Sequence, residues 1–462
     1  MHNNADGLAP PQRNWAILAV GLAITMAVLD GAIANVALPA IARDLHATPA
    51  SSIWVVNAYQ LATTISLLAL ASLGDIYGYR RVYQCGLALF TITSVLCALS
   101  DSLLTLTLAR ILQGFGAAGV MSVNTALVRV IYPKRYLGRG MAINSLVVAL
   151  SSAAGPTVAA GILSVASWQW LFAVNLPLGA LAFAIGYKSL PQNSHPATHG
   201  FDIRSAALNA LTFGLLIFSI DGFGHGANPL LVSLLLVVAL GIGYVFVKRQ
   251  LTVASPLLPV DLLRIPVFAL SVGTSICSFC AQMLGMVSLP FYLEALGRNA
   301  TETGLLLTPW PLAIVVTAPL AGRLIEKKYP PGLLGGIGLA LFALGLALLG
   351  LLPATPTDAD IVWRMALCGV GFGLFQSPNN FALLTSAPPH RSGGASGMLG
   401  TARLVGQTAG ASLVALMFGL FPLHGTRMSL WLGATFALAA AGVSCMRLYG
   451  GGTRDEGVVG HS

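Results

Sequence analysis

Few ionisable side chains interrupt the apolar runs of this sequence, and those few are the first candidates for chemistry. Asp30 lies within residues 29–39, with Asn35 just over one helical turn further along. A charge at membrane depth costs about 2.5 to 3.5 kcal/mol, so such a residue is a functional candidate. A carboxylate in a partly dry cavity can exchange a proton for a cation. Asp30 is therefore predicted to couple proton movement to transport of a cation, and the alternative is a structural ion pair with a neighbouring helix.

Two arginines also lie inside apolar runs. Arg110 is followed by the small residues Gly116 and Gly119, which let another helix approach and bury the guanidinium against protein. The distance between an arginine and a carboxylate changes the proton affinity of the carboxylate, so Arg110 is predicted to act with Asp30 in proton coupling. Its alternative role is to snorkel to the outer interface. Arg403 is predicted to orient polar groups or an anionic part of a substrate.

Two further motifs are candidates for conformational control. An acid and two bases flank a glycine at the inner end of the second predicted helix, namely Asp75, Gly78, Arg80 and Arg81. An acid at that place can bond to the N-terminus of a facing helix and hold an inner gate shut. Charges that only set topology would account for the arginines but not for the acid and glycine. Further along, Gly155 and Pro156 free a carbonyl and bend a helix, for gating or for packing alone.

Polar and aromatic side chains within the helices would line a large cavity suited to lipophilic cations. Some of them must simply bond between helices. The predicted lining residues are Asn35, Asn57, Tyr59, Gln60, Gln113, Asn144, Gln282, Tyr292, Trp310, Asn379 and Arg403. Glu294 is either a second acid of the site or an acid at the outer interface, and the interfacial place is the one predicted. The six cysteines fall in apolar runs without histidines at ligand spacing, so they are interpreted as packing thiols and no metal or cofactor is expected.

The composition places these residues in a membrane. Only 8% of the 462 residues are charged, against about 25% in soluble proteins. The hydrophobic fraction is 56% and the mean hydropathy is +0.80, more than a folded core could hide from water. The net charge of +9 comes without a basic cluster interleaved with aromatics, so nucleic acid is not an expected partner. No nucleophile and base set or phosphate loop indicates an enzyme.

About 20 apolar residues cross a bilayer, and on that measure the sequence predicts fourteen spanning helices. They lie near residues 15–39, 51–73, 82–99, 103–129, 139–163, 167–188, 205–221, 229–247, 267–296, 302–325, 332–352, 362–386, 393–420 and 427–446. The shortest is 205–221, which stops at Asp221. Losing it together with 229–247 would give twelve helices and leave the termini on the same sides.

The distribution of basic residues sets the orientation, because inner loops collect Lys and Arg. With the N-terminus inside, eighteen of the 24 basic residues fall on the inner side, whereas four lie outside and two within helices. Both termini are therefore predicted to be cytoplasmic. The predicted domains are an N-terminal tail 1–14, a six-helix bundle 15–188, two inserted helices within 189–265, a second six-helix bundle 266–447 and a C-terminal tail 448–462.

Weak internal duplication supports the two bundles. Gly114, Gly116 and Asn124 reappear as Gly369, Gly371 and Asn379, each 255 residues later, and Asp75 corresponds to Glu326 at an offset of 251. Such duplication is typical of secondary transporters.

The same motifs resemble the major facilitator superfamily, and within it the fourteen-helix drug:proton antiporters, over nearly the whole length. The resemblance rests on residues 29–39, 54–59, 71–81, 106–118, 155–156, 168–177, 373–380 and 396–403. It implies proton coupling through the fourth helix and antiport through Gly155 and Pro156. Ala71, Ile76, Ala159, Ala160 and Gln169 depart from the family pattern, which bears on antiport but not on the fold.

The expectation is an all-α major facilitator fold that exports hydrophobic, cationic drugs or toxic compounds by alternating access, driven by the proton gradient. It would lie as a monomer in the inner (plasma) membrane and contact lipid, protons and a lipophilic substrate. One alternative is a dedicated exporter of a single metabolite or self-made antibiotic. Another is a non-transporting membrane sensor.

Overall fold

A computed structural model describes residues 7–192, 200–224, 227–253, 256–388 and 391–450. These residues form long helices and contain no β-strand. In chain order the helices are α1 Pro10–Asp44, α2 Pro49–Tyr77, α3 Tyr79–Ala98, α4 Leu103–Ile131, α5 Lys134–Leu163, α6 Gln169–Ser189, α7 Ile203–Gly224, α8 Pro229–Gln250, α9 Pro266–Ala295, α10 Ala300–Glu326, α11 Pro331–Gly350, α12 Asp358–Ser386, α13 Ser392–Leu420 and α14 Gly425–Gly450.

The predicted set of fourteen helices is confirmed. Thirteen of them are long and apolar enough to cross a membrane. The other, α12, has 29 residues but has Asp358 and Asp360 in its first turn, where Asp360 forms a capping box with Thr357. The shortest predicted segment, 205–221, lies inside α7, which has 22 residues. Residues 1–6 of the predicted N-terminal tail and 451–462 of the predicted C-terminal tail lie outside the described ranges.

Prolines interrupt two helices at positions that matter for the site. α6 consists of Gln169–Ala173 and Asn175–Ser189. Pro177 has no N–H to give to the carbonyl four residues earlier, so the helix breaks just before Asn175. α10 likewise consists of Ala300–Leu307 and Pro309–Glu326.

The chain forms two compact units. The first comprises Met1–Phe246 and Pro290–Thr308, and the second comprises Val247–Leu289 and Pro309–Ser462. α7 packs in the first unit, where the rings of Phe218 and Trp54 lie 5.2 Å apart and Asn209 donates to the Ile65 carbonyl at 2.9 Å. The domain boundaries that treat α7 and α8 as a separate insert stay a prediction.

Each unit contains the same close glycine contacts, at positions related by the offsets of the internal duplication. A Cβ on Gly114 would lie 2.6 Å from the Tyr59 carbonyl oxygen, and Gly369 is pressed against the Trp310 carbonyl in the same way. Gly116 and Gly371 contact the backbones of Phe90 and Phe342. Because backbone can approach backbone only where no Cβ intervenes, the same glycines pack the second and third helices of each half onto the fourth.

Candidate functional site

The two predicted proton-coupling residues meet in the first unit. Arg110 on α4 donates through Nη1 to Asp30 Oδ2 on α1, and the pair is buried, with Asp30 only 3% exposed and Arg110 fully covered. Arg110 is the eighth residue of α4, about 10 Å along the axis from the N-terminus of that helix. Snorkelling to the interface, the alternative role for Arg110, is therefore wrong. The alternative for Asp30, an ion pair with a neighbouring helix, describes a contact that does exist.

Neutral side chains complete the network around Asp30. Its second oxygen, Oδ1, accepts hydrogen bonds from Gln113 Nε2 and Asn175 Nδ2, both at 3.1 Å. Both amides also donate to Ser94 Oγ, at 2.9 and 3.4 Å. Gln113 Oε1 in turn accepts from Arg110 Nη1 at 2.6 Å. Both oxygens of the carboxylate are thus held by donors from α4 and α6.

Aromatic rings and a carbonyl enclose the rest of the Arg110 guanidinium. Its Nε donates to the Val55 carbonyl at 3.0 Å, and its Cζ lies 4.2 Å from the Tyr59 ring centroid and 5.4 Å from that of Phe172. The Tyr59 hydroxyl donates to the Ala27 carbonyl at 2.8 Å, which fixes the ring. Nη2 has no acceptor among the described residues. The ring faces stabilise the cation in its place.

Small residues bring the helices of this site together. Beside Gln113, a Cβ on Gly114 would meet both the Tyr59 carbonyl and, at 2.8 Å, the Ala62 Cβ. On the other side of α1, a Cβ on Gly155 would lie 2.5 Å from the Ala32 Cβ. α2 and α5 can therefore approach the helices that carry Arg110 and Asp30 only because these positions are glycine.

The arrangement can hold one proton at membrane depth. Asp30 is the one carboxylate in this buried network, and its ionised form receives three donors. Protonation would weaken the hold of these donors on Asp30, because a neutral carboxyl accepts hydrogen bonds less strongly than a carboxylate. Protonation is thereby linked to the relative positions of α1, α4 and α6. The described residues contain no group of three or more His, Cys, Asp or Glu placed to hold a metal ion.

The predicted gating residues lie at the turn between α2 and α3. Gly78 has φ of 104°, a backbone conformation that favours glycine. Asp75 accepts from the Tyr79 hydroxyl at 2.7 Å, so its contact in this structure is local. Arg80 donates to the Tyr187 carbonyl on α6 and lies over the Tyr187 ring. Arg81 is exposed.

Gly155 and Pro156 lie where α5 meets the segment Pro290–Thr308 within the first unit. A Cβ on Gly304 would lie 2.6 Å from the Pro156 carbonyl oxygen. The hydroxyls of Thr157 and Thr308 are 2.9 Å apart. In the same segment Glu294 forms an ion pair with Arg43 at the end of α1, and its side chain is 28% exposed. Its predicted place at the outer interface stays a prediction.

Several predicted cavity residues of the first unit are buried or bonded between helices. Asn57 is fully buried, and neither atom of its amide has a partner among the described residues. Asn35 is 6% exposed with its Oδ1 unpaired, and Gln60 is equally buried. Asn144 accepts from Asn124 at 3.0 Å, and Tyr292 is half-buried.

The predicted cavity residues of the second unit divide into two kinds. Trp310 is fully buried, with its ring centroid 5.4 Å from that of Phe342, so it packs in the core and does not line an open cavity. Asn379 is also buried and donates to Ser275 Oγ at 2.8 Å. Gln282 and Arg403 are half-buried.

Sequence reasoning misses three residues of the buried networks. Asn175 is visible only as part of the run 168–177, and Ser94 is a small polar residue with no signal of its own. The charge distribution assigns Arg447 to the inner side, but it is 6% exposed and donates to Asn379 Oδ1 at 2.9 Å and to Ser271 Oγ at 3.0 Å. Its position at the end of an apolar run resembles that of a topogenic charge, so sequence alone gives no sign of these hydrogen bonds.

Comparison with known proteins agrees with this architecture. Residues 20–411 match the Major Facilitator Superfamily. The chain is 63% identical to an uncharacterised transporter, YebQ, of Escherichia coli strain K12, over 96% of this chain and 97% of that one. It is 30% identical to the multidrug resistance protein Stp of Mycobacterium tuberculosis, over 91% and 76% of the two chains. The crystal structure of a POT family transporter in complex with a thioalcohol conjugated peptide superposes with a TM-score of 0.72 at 17% identity, covering 94% and 95%.

Proposed function

Because the chain belongs to the Major Facilitator Superfamily, we propose that it is a proton-driven exporter of hydrophobic compounds that works by alternating access of its two halves. The chain is a multi-pass membrane transporter and not an enzyme. To this the proposal adds export, proton coupling and a multidrug substrate range. The inner membrane, cytoplasmic termini and a monomeric state belong to it as well.

One observation carries the proposal: the buried carboxylate of Asp30 with its three donors. A proton entering from the outside would displace a donor from Asp30 and shift α1 against α4 and α6. Loss of that proton to the inside would restore the ion pair. The energy of the gradient would be transmitted in this way without a bound cofactor. The proton-coupling residues in this scheme are Asp30 and Arg110, with Gln113 and Asn175 as positioning residues.

The direction of transport is supported by a relative. A protein 30% identical over 91% of this chain is a multidrug resistance protein, which favours export of drugs or toxic compounds. The contacts of Pro156 and Thr157 with the segment Pro290–Thr308 would open and close with the outer side of the pathway. Asp75, Arg80 and Arg81 would serve the inner side.

The predicted preference for cationic substrates depends on Asp30 facing the substrate. In the structure Asp30 is covered and its charge is matched by Arg110. A substrate cation would have to compete with a bonded guanidinium for the same carboxylate. We therefore assign Asp30 to the proton and propose only that the substrate is hydrophobic.

Transport by inside-out vesicles with an imposed acid interior tests the proposal. The parent protein should accumulate hydrophobic fluorescent compounds in such vesicles, and Asp30→Asn should abolish the part that depends on the pH gradient. Asp101→Asn, which removes an exposed carboxylate before α4, is the matched control and should transport normally. Undiminished gradient-driven transport by Asp30→Asn would refute the mechanism.

A further inference from the structure

Arg110 and Arg447 are buried in helices and Arg403 is half-buried in one, and these arginines differ in what surrounds their charge. Arg110 is paired with Asp30. Arg447 forms no ion pair among the described residues, but Ser444, Ser271 and Asn379 accept its hydrogen bonds. Arg403 has neither kind of partner: no side-chain hydrogen bond and no ion pair joins it to any described residue, and its Nε is buried without an acceptor.

Arg403 lies at the depth where an unmatched charge is least favourable. It is the twelfth residue of α13, about 17 Å along the axis from the inner end of that helix. This distance is roughly half the thickness of the hydrocarbon layer. An arginine facing lipid there would cost about 2.5 to 3.5 kcal/mol. A long cationic side chain without a protein acceptor at this depth therefore calls for an acceptor that is not part of the chain.

The face of α13 that carries Arg403 is polar and half-buried. Ser396 and Gln407 fall within about 40° of it around the helix axis, and all three are partly covered. Glycines next to Arg403 pack tightly: Gly410 and Gly406 lie about 20° and 60° from it around the axis, and a Cβ on either would lie 2.5 Å from the carbonyl oxygen of Cys280 or Ile276 on α9. Close packing against α9 holds the helix, and thus the Arg403 side chain, in a defined place.

We infer that Arg403 binds an acidic group of the exported compound, so that the substrates are amphipathic anions bearing a carboxylate, sulfonate or similar group. The guanidinium offers a planar fork of N–H donors that matches such groups. The inference rests on the proposed function, since it names the substrate class of that transporter. It replaces the expectation of cationic substrates, because Asp30, the carboxylate on which that expectation rests, is already matched by Arg110.

Two fluorescent probes that share a skeleton test the inference. 8-Anilinonaphthalene-1-sulfonate is an anion, and N-phenyl-1-naphthylamine is the same aromatic amine without the sulfonate; ethidium serves as the cation. In inside-out vesicles with an acid interior, the parent should accumulate the sulfonate in preference to the amine and ethidium. Arg403→Gln should lower sulfonate transport by on the order of tenfold while leaving the amine unchanged. Arg403→Lys should retain part of it, since it keeps the charge but not the fork.

Arg364→Gln is the matched control, because Arg364 is a cation of the same unit that pairs with Asp360 one turn away. It should transport both probes like the parent. Preference of the parent for the amine or ethidium would overturn the inference and leave the proposed function standing. Equal effects of Arg403→Gln on both naphthalene probes, or no effect, would also overturn it. If the parent moves no probe, the proposed function itself fails. Should Arg403→Gln not elute as a folded monodisperse protein, Arg403→Lys carries the comparison.

Discussion

Asp30 and Arg110 are the residues whose removal should most disturb the first unit. Each neutralises the other in a site that water does not reach, and the guanidinium also rests on the Tyr59 ring. Taking away one member of a buried ion pair leaves an uncompensated charge, whereas taking away both can be nearly neutral. The structural and proton-coupling roles of the pair can therefore be separated by comparing single and double variants.

The second unit supplies the substitution for such a comparison. Met365 lies 255 residues after Arg110 and is fully buried, so the same place in the repeated architecture accommodates methionine. Asp30→Asn should lower the stability of the purified protein by about 3 kcal/mol, and adding Arg110→Met should restore most of it. The measurement is unfolding in detergent as a double-mutant cycle. Transport should remain absent in the double variant. Additive losses would show that the two residues are not energetically coupled.

At the scale of the element, glycines determine how closely the helices of the site approach. A Cβ on Gly116 would lie 2.5 Å from the Phe90 nitrogen, so α3 and α4 would have to separate. Ser94, on the same helix as Phe90, would then move away from Gln113. Gly116→Ala is expected to destabilise the protein by about 1 to 3 kcal/mol and to impair transport. Thermal unfolding and vesicle transport measure the two effects.

Gly161→Ala is the control for that substitution. Gly161 lies inside α5, and a Cβ added to it would have no neighbouring atom within 4 Å, so alanine should be tolerated and should favour the helix. A loss of stability or transport equal to that of Gly116→Ala would mean that helix propensity, and not the close approach of α3 and α4, governs these positions.

The helices could be predicted because each is a long apolar run, whereas the site depends on which helices become neighbours. Asp30 and Arg110 are identifiable singly, since a charge in an apolar run is conspicuous. Their pairing joins residues 80 positions apart, and the bond from Asn175 spans 145. Ser94 carries no charge, so neither composition nor periodicity distinguishes it from serines that bond only to their own helix. Trp310 is predicted to line a cavity because it is aromatic. In the internal repeat, however, it corresponds to Tyr59, and both residues lie where a glycine of the fourth helix packs against their backbone.

At the scale of the whole molecule, the repeated architecture carries different chemistry in its two halves. Where the first has Arg110, Gln113 and Ser94, the second has Met365, Cys368 and Leu346 at offsets of 255, 255 and 252, all buried. The packing glycines are retained, but the polar network is not. We therefore propose that the proton binds in the first half alone and that the substrate binds at the unmatched Arg403 in the second half.

If the proton and the substrate bind in different halves, proton binding must change the conformation of the whole transporter. The segment Pro290–Thr308 is where such a conformational change can be tested. This segment comprises the end of α9 and the start of α10 and packs in the first unit, where Thr308 Oγ1 lies 2.9 Å from Thr157 Oγ1. If alternating access separates α5 from α10 in each cycle, a covalent link at this contact must stop transport. The side chains are close enough for cysteines there to bridge.

Thr157→Cys combined with Thr308→Cys should lose vesicle transport on mild oxidation and regain it with dithiothreitol, because the bridge would hold α5 and α10 together. Each single cysteine variant controls for oxidation of the six free native cysteines, and both should transport in either condition. The bridge is detected on non-reducing gels after the chain is cleaved in a loop that lies between residues 157 and 308 in sequence. The two fragments then stay joined only if the disulfide has formed. Full transport by a protein shown to be bridged would mean that this contact persists through the cycle, and that the halves move about some other part of the chain.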